Sequence, residues 1–286
     1  MKVLVTGATG QLGYDVLKVL LARGKEVKGV SSKEMNLMDT SQIKHVISSY
    51  HPDVIIHCGA YTAVDKAEEE YDRALDVNAK GTLTIAKMAK AIDAKMLYVS
   101  TDYIFNGEGK EPFVVDAPKE PLNVYGLTKL FGEQAVQMEL KKYFIVRISW
   151  VFGKNGNNFV KTMLNVGRTH DTLRVVNDQI GTPTYTYDLA RLLVDMVETD
   201  KYGYYHATNE GGYISWYDFA CEIFRQARYP TKVIPVTTAE YGLSKAKRPF
   251  NSRLDKSKLV EKDFTLLPDW KDALRRYLKE IGALDC

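Results

Sequence analysis

Short apolar runs alternate with amphipathic helical patterns along the first half of the chain. The apolar runs predict five strands, at residues 3–5, 26–30, 53–57, 95–100 and 142–148. Apolar residues at helical spacing predict helices between them, near residues 12–20, 41–50, 72–92 and 123–133. This order predicts an α/β fold, in which right-handed crossovers build a doubly wound parallel sheet with helices on both faces.

The regular alternation ends near residue 150. An Asn- and Gly-rich loop is predicted at 153–158, followed by helices at 159–166, 188–198, 215–228 and 269–281 and strands at 173–177 and 202–208. Residues 242–258 carry six basic side chains against one acidic one and show little periodicity. We therefore predict a first domain at 1–150 and a smaller C-terminal α/β lobe at 151–286. Because no Gly/Ser- or Pro-rich linker is present, we expect the lobe to pack against the first domain. The sequence leaves open whether segments after residue 150 return to the first domain.

Composition and charge exclude several classes of function. The 286 residues are 45% hydrophobic, and the formal net charge of +3 gives no reason to expect a nucleic-acid partner. Cys58, Cys221 and Cys286 are far apart and odd in number, which argues against a disulfide framework or zinc site and for a reducing compartment. Cys58, in an apolar run, is interpreted as a small buried hydrophobe. No segment resembles a signal peptide or a spanning helix, so we expect a cytoplasmic protein without a membrane partner.

A glycine-rich turn, TGATGQLG, follows the first predicted strand and opens the first helix. Its glycines are Gly7, Gly10 and Gly13, spaced G-x-x-G-x-x-G. Such glycines let the backbone turn tightly and approach a pyrophosphate, and the amides of Gln11 and Leu12 would face the phosphates at the helix N-terminus. The simpler alternative is a plain strand-to-helix turn. Within a strand–helix–strand unit we favour a dinucleotide site in a Rossmann-type fold, of the short-chain dehydrogenase/reductase kind.

The end of the second predicted strand concerns the choice of cofactor. An NAD-preferring site usually has an acidic residue there, whereas this chain has Ser31, Ser32 and Lys33. These residues suit a 2′-phosphate and predict NADPH, although NADH is not excluded and a solvated loop is the alternative. Asp39 and Thr40 are candidates to hold the adenine, with a helix N-cap as the alternative.

Two groups of polar residues supply candidate chemistry. Thr101 lies in the segment Ser100–Tyr103 at the end of the fourth predicted strand, where open α/β sheets bind ligands; the alternative is a turn cap. Tyr125 and Lys129 are one helical turn apart. A lysine ammonium near a phenol favours the phenolate and lowers the phenol pKa, and the ammonium can also bond the nicotinamide ribose. The spacing occurs by chance in many proteins, but its place after the glycine turn and Thr101 favours a proton-transfer pair.

At this point the chain resembles a known family. TGATGQLG, Asn78 in DVNAKGT, STDYIF and YGLTK are similar to extended short-chain dehydrogenases/reductases. TAVDKAE, STDYIFNG, PLNVYGLTK, SWVFGKNGNNFVKTML, DQIGTPT, SWYDFA and KRPFNSRLD resemble the dTDP-4-dehydrorhamnose reductase family along essentially the whole chain. The resemblance implies reduction of the 4-keto group of dTDP-6-deoxy-L-lyxo-4-hexulose by NADPH or NADH, and a substrate-binding role for the C-terminal lobe.

The resemblance also implies roles for individual residues. Tyr125 would be the proton donor, Lys129 its electrostatic partner and Thr101 the hydroxyl that binds the reacting oxygen. The implied cofactor residues are Gly10, Gln11, Leu12, Asp39, Thr40, Ala60, Tyr61, Thr62, Val99, Tyr125 and Lys129, to which the glycine turn and the end of the second strand add Gly7, Gly13 and Ser31. The implied substrate residues are Val64, Thr101, Asp102, Tyr125 and Trp150, to which the charge of the basic stretch adds Arg248 and Arg253. For Val64, Val99 and Trp150 a structural role is the alternative, and for the two arginines, predicted to grip the diphosphate, a solvated loop.

Two departures from the family pattern limit what is carried over. Many members have a His where this chain has Tyr61. Some members dimerise around Mg²⁺ held by acidic residues, and here Tyr187 stands at one such position while Asp15 matches another, so no metal is predicted. A homodimer is left open.

Two other functions are kept as hypotheses. One is an NAD-dependent nucleotide-sugar epimerase or dehydratase, although Thr101 lacks the Asp-Glu that usually follows it in dehydratases. The other is a non-catalytic, NADP-binding regulatory subunit, against which the complete Thr101, Tyr125 and Lys129 set argues.

Overall fold

The computed structural model describes residues 1–242 and 244–284, so that Leu243, Asp285 and Cys286 lie outside the described residues. The strands are β1 (Lys2–Thr6), β2 (Glu26–Val30), β3 (Val54–His57), β4 (Lys95–Thr101), β5 (Tyr143–Ile148), β6 (Val151–Phe152), β7 (Thr172–Val176), β8 (Ile180–Gly181), β9 (Thr184–Tyr185), β10 (Gly203–His206), β11 (Asn209–Glu210), β12 (Ile214–Ser215), β13 (Lys232–Val236) and β14 (Leu267–Asp269).

The helices cover most of the remaining chain. They are α1 (Gln11–Ala22), α2 (Thr40–Tyr50), α3 (Val64–Ala67), α4 (Tyr71–Leu75), α5 (Thr82–Ala91), α6 (Val124–Glu139), α7 (Phe159–Gly167), α8 (Thr186–Val197), α9 (Trp216–Ala227), α10 (Thr238–Tyr241), α11 (Ser257–Glu261) and α12 (Trp270–Glu280). Within the described ranges, no helix is both long enough and apolar enough to cross a bilayer.

A six-stranded parallel sheet forms the centre of the molecule, in the order β10-β5-β4-β3-β1-β2. Every neighbouring pair is parallel, from β1 and β2 in register Lys2–Glu26 to β5 and β10 in register Phe144–Gly203. The predicted doubly wound parallel sheet is confirmed, and all five strands predicted in the first half belong to it. The strand order reverses between β1 and β3, which is where sheets of this type bind ligands.

Two apolar cores cover the two faces of the sheet. On one face, α1 packs beside α8, with Val16 and Leu20 of α1 and Leu193 of α8 fully buried. On the other face, α2, α5 and α6 contribute buried residues such as Ile43, Ile85 and Val136 to a second core. Both cores are built from the apolar stripe of each amphipathic helix, as the period of 3.6 residues requires.

A third core lies in the C-terminal part of the chain. It is formed mainly by α7, α9 and α12, with Phe219 and Trp270 among its buried side chains. The division at residue 150 stays a prediction. Two elements that come after that residue belong to the central sheet region, since β10 extends the sheet and α8 covers one of its faces.

The helix predicted at 72–92 is not a uniform α-helix. A π-helical turn, Asp76–Gly81, separates α4 from α5 and changes the direction of the side chains it carries. Gly81 lies against the Leu37 backbone, where an added Cβ would be 2.5 Å from the Leu37 carbonyl oxygen. Hydrophobic periodicity cannot reveal such a turn, since only one residue is gained over an α-helical path.

Candidate active site

The carboxyl ends of β1, β3, β4 and β5 open into a cavity of about 780 Å³. It lies at the point where the strand order reverses. Most predicted site residues lie in its wall, namely Gly7, Gly10, Gln11, Leu12, Gly13, Ser31, Ala60, Tyr61, Thr62, Val64, Val99, Thr101, Asp102, Tyr125, Lys129 and Trp150. Asp39, Thr40, Arg248 and Arg253 do not lie in the wall.

The glycine turn forms one end of the cavity. Gly7 has φ +66°, and a Cβ on it would lie 2.7 Å from the Gly59 nitrogen, so only glycine suits this position. A Cβ on Gly13 would lie 2.2 Å from the Gly7 carbonyl oxygen, which shows how tightly helix and turn are packed. Gly10 begins α1 and has no side chain with which to cap it, so the amides of Gln11 and Leu12 face the cavity end at the positive pole of the helix.

Ser31 lies in the wall after β2, but its hydroxyl is already engaged. Both the hydroxyl and the backbone amide of Ser31 donate hydrogen bonds to the Glu34 carboxylate. These bonds lower the pKa of Glu34, which keeps the carboxylate charged. A carboxylate therefore stands beside the position predicted to accept a 2′-phosphate, a feature that the sequence analysis did not identify.

Asp39 takes the second of its two predicted roles. Its carboxylate accepts hydrogen bonds from the amides of Ser41 and Gln42, at 2.9 and 3.0 Å, and so caps α2. Thr40 is the first residue of that helix. Neither lines the cavity; the neighbouring wall residues are instead Asn36, Leu37 and Met38.

Thr101 and Asp102 stand together at the end of β4. Both are buried, and the Thr101 hydroxyl donates to Asp102 Oδ1 at 3.0 Å. Burial raises the pKa of Asp102 to about 6, and the Ser252 and Thr101 hydroxyls act in the opposite direction. Within the described residues, Asp102 Oδ2 and Ser100 Oγ are buried without a hydrogen-bond partner. Such orphaned polar atoms in a cavity wall are available to a ligand.

Tyr125 lies at the start of α6, which Asn123 caps by accepting the Gly126 amide at 2.8 Å. Its ring meets the Tyr103 ring edge-to-face, with the centroids 5.6 Å apart. Burial raises the pKa of Tyr125 well above its ordinary value, while a hydrogen bond with Thr101 lowers it. Burial is the largest influence on this phenol, and the expected lowering of its pKa by Lys129 stays a prediction. The phenol is protonated at neutral pH.

Lys129 is buried one turn further along α6 and points at β4. Its ammonium donates to the Val99 carbonyl oxygen at 2.7 Å and lies 4.0 Å from the centroid of the Tyr98 ring. Burial lowers the pKa of Lys129 to about 7, and the nearby Glu133 carboxylate raises it. The carbonyl and the ring face compensate part of the cost of burying the ammonium.

The carboxylate of Glu133 is itself fixed by a buried ion pair. Arg147 of β5 binds it with two hydrogen bonds, from Nε at 2.9 Å and from Nη2 at 2.8 Å. Their side chains are 0% and 2% exposed, and Arg147 also donates to the Val115 carbonyl oxygen at 2.6 Å. The pair anchors α6, and with it Tyr125 and Lys129, to the sheet.

Asn78 organises the opposite wall. It lies in the π-helical turn and is buried, and its side chain bonds both the amide and the carbonyl of Tyr61, at 2.8 and 3.1 Å. It also donates to the Thr128 hydroxyl at 3.1 Å. One amide thereby connects the predicted cofactor segment around Tyr61 with the helix that carries Lys129.

The two arginines predicted to grip a diphosphate have protein partners. Arg248 donates to Asp65 Oδ2 at 2.8 Å and to the Tyr103 hydroxyl at 3.3 Å. Arg253 donates to Asn251 Oδ1 at 3.0 Å. The segment around Arg248 thus binds α3 at the rim of the cavity.

Comparison with known proteins identifies the family. A model described as the RmlD substrate binding domain matches residues 1–283. The chain belongs to this family. It is 41% identical to the spore coat polysaccharide biosynthesis protein SpsK of Bacillus subtilis, over 98% of this chain and 97% of that protein. It is also 41% identical to the dTDP-4-dehydrorhamnose reductase of Aggregatibacter actinomycetemcomitans, over 96% of this chain and 97% of that protein.

A solved structure extends the similarity to three dimensions. The crystal structure of dTDP-4-dehydrorhamnose reductase from Bacillus anthracis in complex with NADP matches this fold with a TM-score of 0.94 and 40% identity, covering 98% of this chain and 100% of that chain. The predicted membership of the dTDP-4-dehydrorhamnose reductase family is confirmed.

Asp15 and Tyr187, the two positions compared above with a metal site, both lie close to other side chains of the chain. Asp15 is buried and accepts the Thr186 hydroxyl at 2.5 Å. The Lys18 ammonium pairs with Glu280 at 3.0 Å and lies 4.9 Å from the centroid of the Tyr187 ring. Among the residues that the structure describes, no group of three His, Cys, Asp or Glu side chains is placed to hold a metal ion.

Several wall residues were not predicted. Gly156 and Asn157 reach the cavity from the loop before α7, and Trp216 reaches it from the start of α9. The loop is held there by Asn158, which donates to Gln11 Oε1 at 3.0 Å. Sequence alone gives no signal for these contacts, because they join segments that are far apart along the chain.

Proposed function

We propose that this chain reduces the 4-keto group of dTDP-6-deoxy-L-lyxo-4-hexulose, also called dTDP-4-dehydrorhamnose, to give dTDP-L-rhamnose, with NADPH as the reductant. It is thus an NAD(P)H-dependent oxidoreductase. The observation that carries the proposal is the meeting of Thr101, Tyr125 and Lys129 in one cavity whose other end is the glycine turn.

The residues present fit a nicotinamide dinucleotide. The close packing of Gly7 and Gly13 leaves the room beside the backbone that a pyrophosphate needs, and the amides of Gln11 and Leu12 supply donors at a helix N-terminus. Ala60, Tyr61, Thr62 and Val99 would bind the nicotinamide half of the molecule. When bound, the cofactor supplies the hydride that reduces C4 of the sugar. NADH remains a second candidate, since Glu34 stands beside Ser31.

The protein's own residues provide the proton and the charge balance. Tyr125, a phenol that is protonated at neutral pH, donates its proton to the oxygen on C4 as that oxygen becomes an alkoxide. The Thr101 hydroxyl would donate to the same oxygen by turning away from Asp102 Oδ1. Lys129, fixed by the Val99 carbonyl, would stabilise the phenolate that remains and would bond the nicotinamide ribose.

The remaining substrate contacts are proposed from their positions in the wall. Val64, Asp102 and Trp150 would face the sugar, and Asp102 Oδ2, buried without a protein partner in the described chain, would accept a sugar hydroxyl. Arg248 would reach the diphosphate only by leaving Asp65, and Arg253 only by leaving Asn251.

The proposal is tested by incubating the protein with the dTDP-4-keto sugar and NADPH while NADPH absorbance and dTDP-L-rhamnose are followed. We expect stoichiometric oxidation of NADPH, and a loss of 10²-fold or more in kcat for Tyr125→Phe, about the size of a general-acid contribution, with NADPH affinity retained. Phe preserves the ring that contacts Tyr103, so it isolates the hydroxyl.

Other outcomes would favour the other hypotheses. Tightly retained NAD with no net NADPH oxidation would indicate an epimerase or dehydratase. NADPH binding without turnover of the keto sugar would indicate a regulatory subunit. The split into domains at residue 150, a cytoplasmic location and a homodimer are further proposals; for the last, the mass measured by light scattering distinguishes one chain from two.

A further inference from the structure

Trp150 has a backbone conformation that needs support from its surroundings. Its φ is +50°, in the left-handed region that a bulky residue rarely adopts. The adjoining backbone is fixed to one segment: the Thr184 amide donates to the Trp150 carbonyl oxygen at 3.1 Å, and the Ser149 hydroxyl donates to the Thr182 carbonyl oxygen at 3.0 Å. A strained residue that is held so firmly is commonly part of a functional site.

The indole of Trp150 has two close neighbours. It stacks on Trp216, with ring centroids 3.7 Å apart and planes at 15°. It also lies against Gly181, where an added Cβ would be 2.8 Å from Cε2 and 3.0 Å from Cζ2 of the indole. Gly181 has no side chain, and this is what leaves room for the ring.

A short two-stranded sheet fixes the positions of both neighbours, Gly181 and Trp216. β8, which contains Gly181, pairs antiparallel with β12 in the register Ile214–Gly181 and Ser215–Ile180. Trp216 follows β12 directly and starts α9, whose first turn is fixed by the capping box of Ser215 and Asp218. The stack therefore has a rigid base in the C-terminal lobe.

The stack forms part of the cavity wall. Trp150 and Trp216 both line the cavity, and both are only partly buried, unlike Trp270, which is 1% exposed in the third core. A pair that served only packing would be expected in that core. The two indoles instead present aromatic surface to the space proposed for the nucleotide sugar.

We infer that Gly181 and Trp216 are positioning residues, which form a slot that fixes the Trp150 indole in the substrate side of the cavity and so set the affinity for the nucleotide sugar. A methyl group at position 181 would meet the indole at 2.8 Å, closer than Ser252 Cβ at 3.0 Å, and so displaces the indole; loss of the Trp216 ring leaves the indole without its stacking partner. This inference rests on the proposed function, because it assumes that the nucleotide sugar binds at this wall.

Steady-state kinetics tests the slot. For Gly181→Ala and for Trp216→Ala we expect the KM for the keto sugar to rise roughly tenfold, the size of one aromatic contact. We expect kcat to change less than KM and the NADPH dissociation constant to stay the same. Trp216→Phe, which keeps a stacking ring, should restore the KM to within roughly threefold of the unsubstituted protein. In a Trp150→Phe background, where the ring is smaller, Gly181→Ala should have a smaller effect.

Far-ultraviolet circular dichroism, in the strong indole band, tests the same slot without turnover. The chain has three tryptophans, and the close stack of Trp150 and Trp216 should give an exciton couplet. Trp216→Phe should abolish the couplet, Gly181→Ala should weaken it, and Trp270→Phe should leave it unchanged.

The outcomes separate this inference from the proposed function. An unchanged KM in Gly181→Ala and Trp216→Ala, with the keto sugar still reduced, would overturn the inference alone. Equal weakening of keto sugar and NADPH binding would also overturn it, since a merely structural pair predicts that result. If the protein fails to reduce the keto sugar, the proposed function fails, while a couplet that Gly181→Ala weakens still supports the slot as a structural unit.

Discussion

The buried pair of Arg147 and Glu133 should be one of the most sensitive points of the fold. Arg147→Met keeps most of the apolar length of the side chain but leaves the Glu133 carboxylate, 2% exposed, without its two hydrogen bonds. Removing one partner of a buried pair costs about 3–5 kcal/mol of unfolding free energy, because the other charge stays desolvated. For a chain of this size that corresponds to a fall in Tm of roughly 6–20 °C.

Urea unfolding of the protein without ligands measures this cost. The matched control is Lys90→Met, which breaks the exposed pair of Lys90 and Glu139, where Lys90 is 61% exposed; it should cost less than about 1 kcal/mol. The double variant Arg147→Met/Glu133→Leu should cost clearly less than the two single substitutions added together, since no charge is then left buried. A cost for Arg147→Met equal to that of Lys90→Met would refute the reasoning.

The remaining predictions concern the cavity. Gly13→Ala should lower NADPH affinity by 10-fold or more, since its Cβ would meet the Gly7 carbonyl oxygen at 2.2 Å. Isothermal titration measures the affinity, and an unchanged value would argue against a phosphate-binding role for the glycine turn. The value of kcat/KM should fall as pH rises through about 7, where buried Lys129 loses its proton. Lys129→Arg, which stays charged, should remove this fall in kcat/KM. If the fall persists in the variant, it belongs to the ionisation of another residue. Asp102 binds its proton up to about pH 6 when folded but only to about 3.8 when unfolded, so its contribution to stability falls as pH rises between these values. The free energy of unfolding of Asp102→Asn, taken relative to that of the unsubstituted protein, should therefore rise by up to roughly 3 kcal/mol between about pH 4 and pH 8. Urea unfolding at the two pH values measures this difference, and the same difference at both would contradict the prediction. Glu34→Gln should raise the preference for NADPH over NADH roughly two- to fivefold by removing a carboxylate beside Ser31, and competition kinetics with both cofactors checks the sign.

The features that local sequence determines were predictable. The glycine turn lies directly between a strand and a helix, and Tyr125 and Lys129 lie on one helix, so their relation depends on spacing along the chain alone. Their position relative to Thr101 follows from the strand order of a parallel sheet. These residues therefore meet in one cavity, as the motifs predicted.

The features that depend on distant partners were not predictable. Arg248 pairs with Asp65, which is far away along the chain, and this competes with the phosphate contact predicted from its charge. The pKa of Tyr125 is set mainly by burial, which a sequence does not report. Asp39 shows a different limit, because a helix cap and an adenine contact need the same kind of residue; the structure shows the cap, and the adenine contact stays a prediction.

The late arrival of β10 has a consequence for synthesis on the ribosome. β5 is an edge strand until Gly203–His206 has emerged, about 60 residues after Ile148, which is several seconds at roughly 5–20 residues per second. Until α8 has also been made, the α1 face of the sheet is uncovered, so an unpaired strand edge and an apolar surface are open together to other nascent chains. The cavity, whose wall includes Trp216, is therefore completed only after the sheet has stood open at this edge.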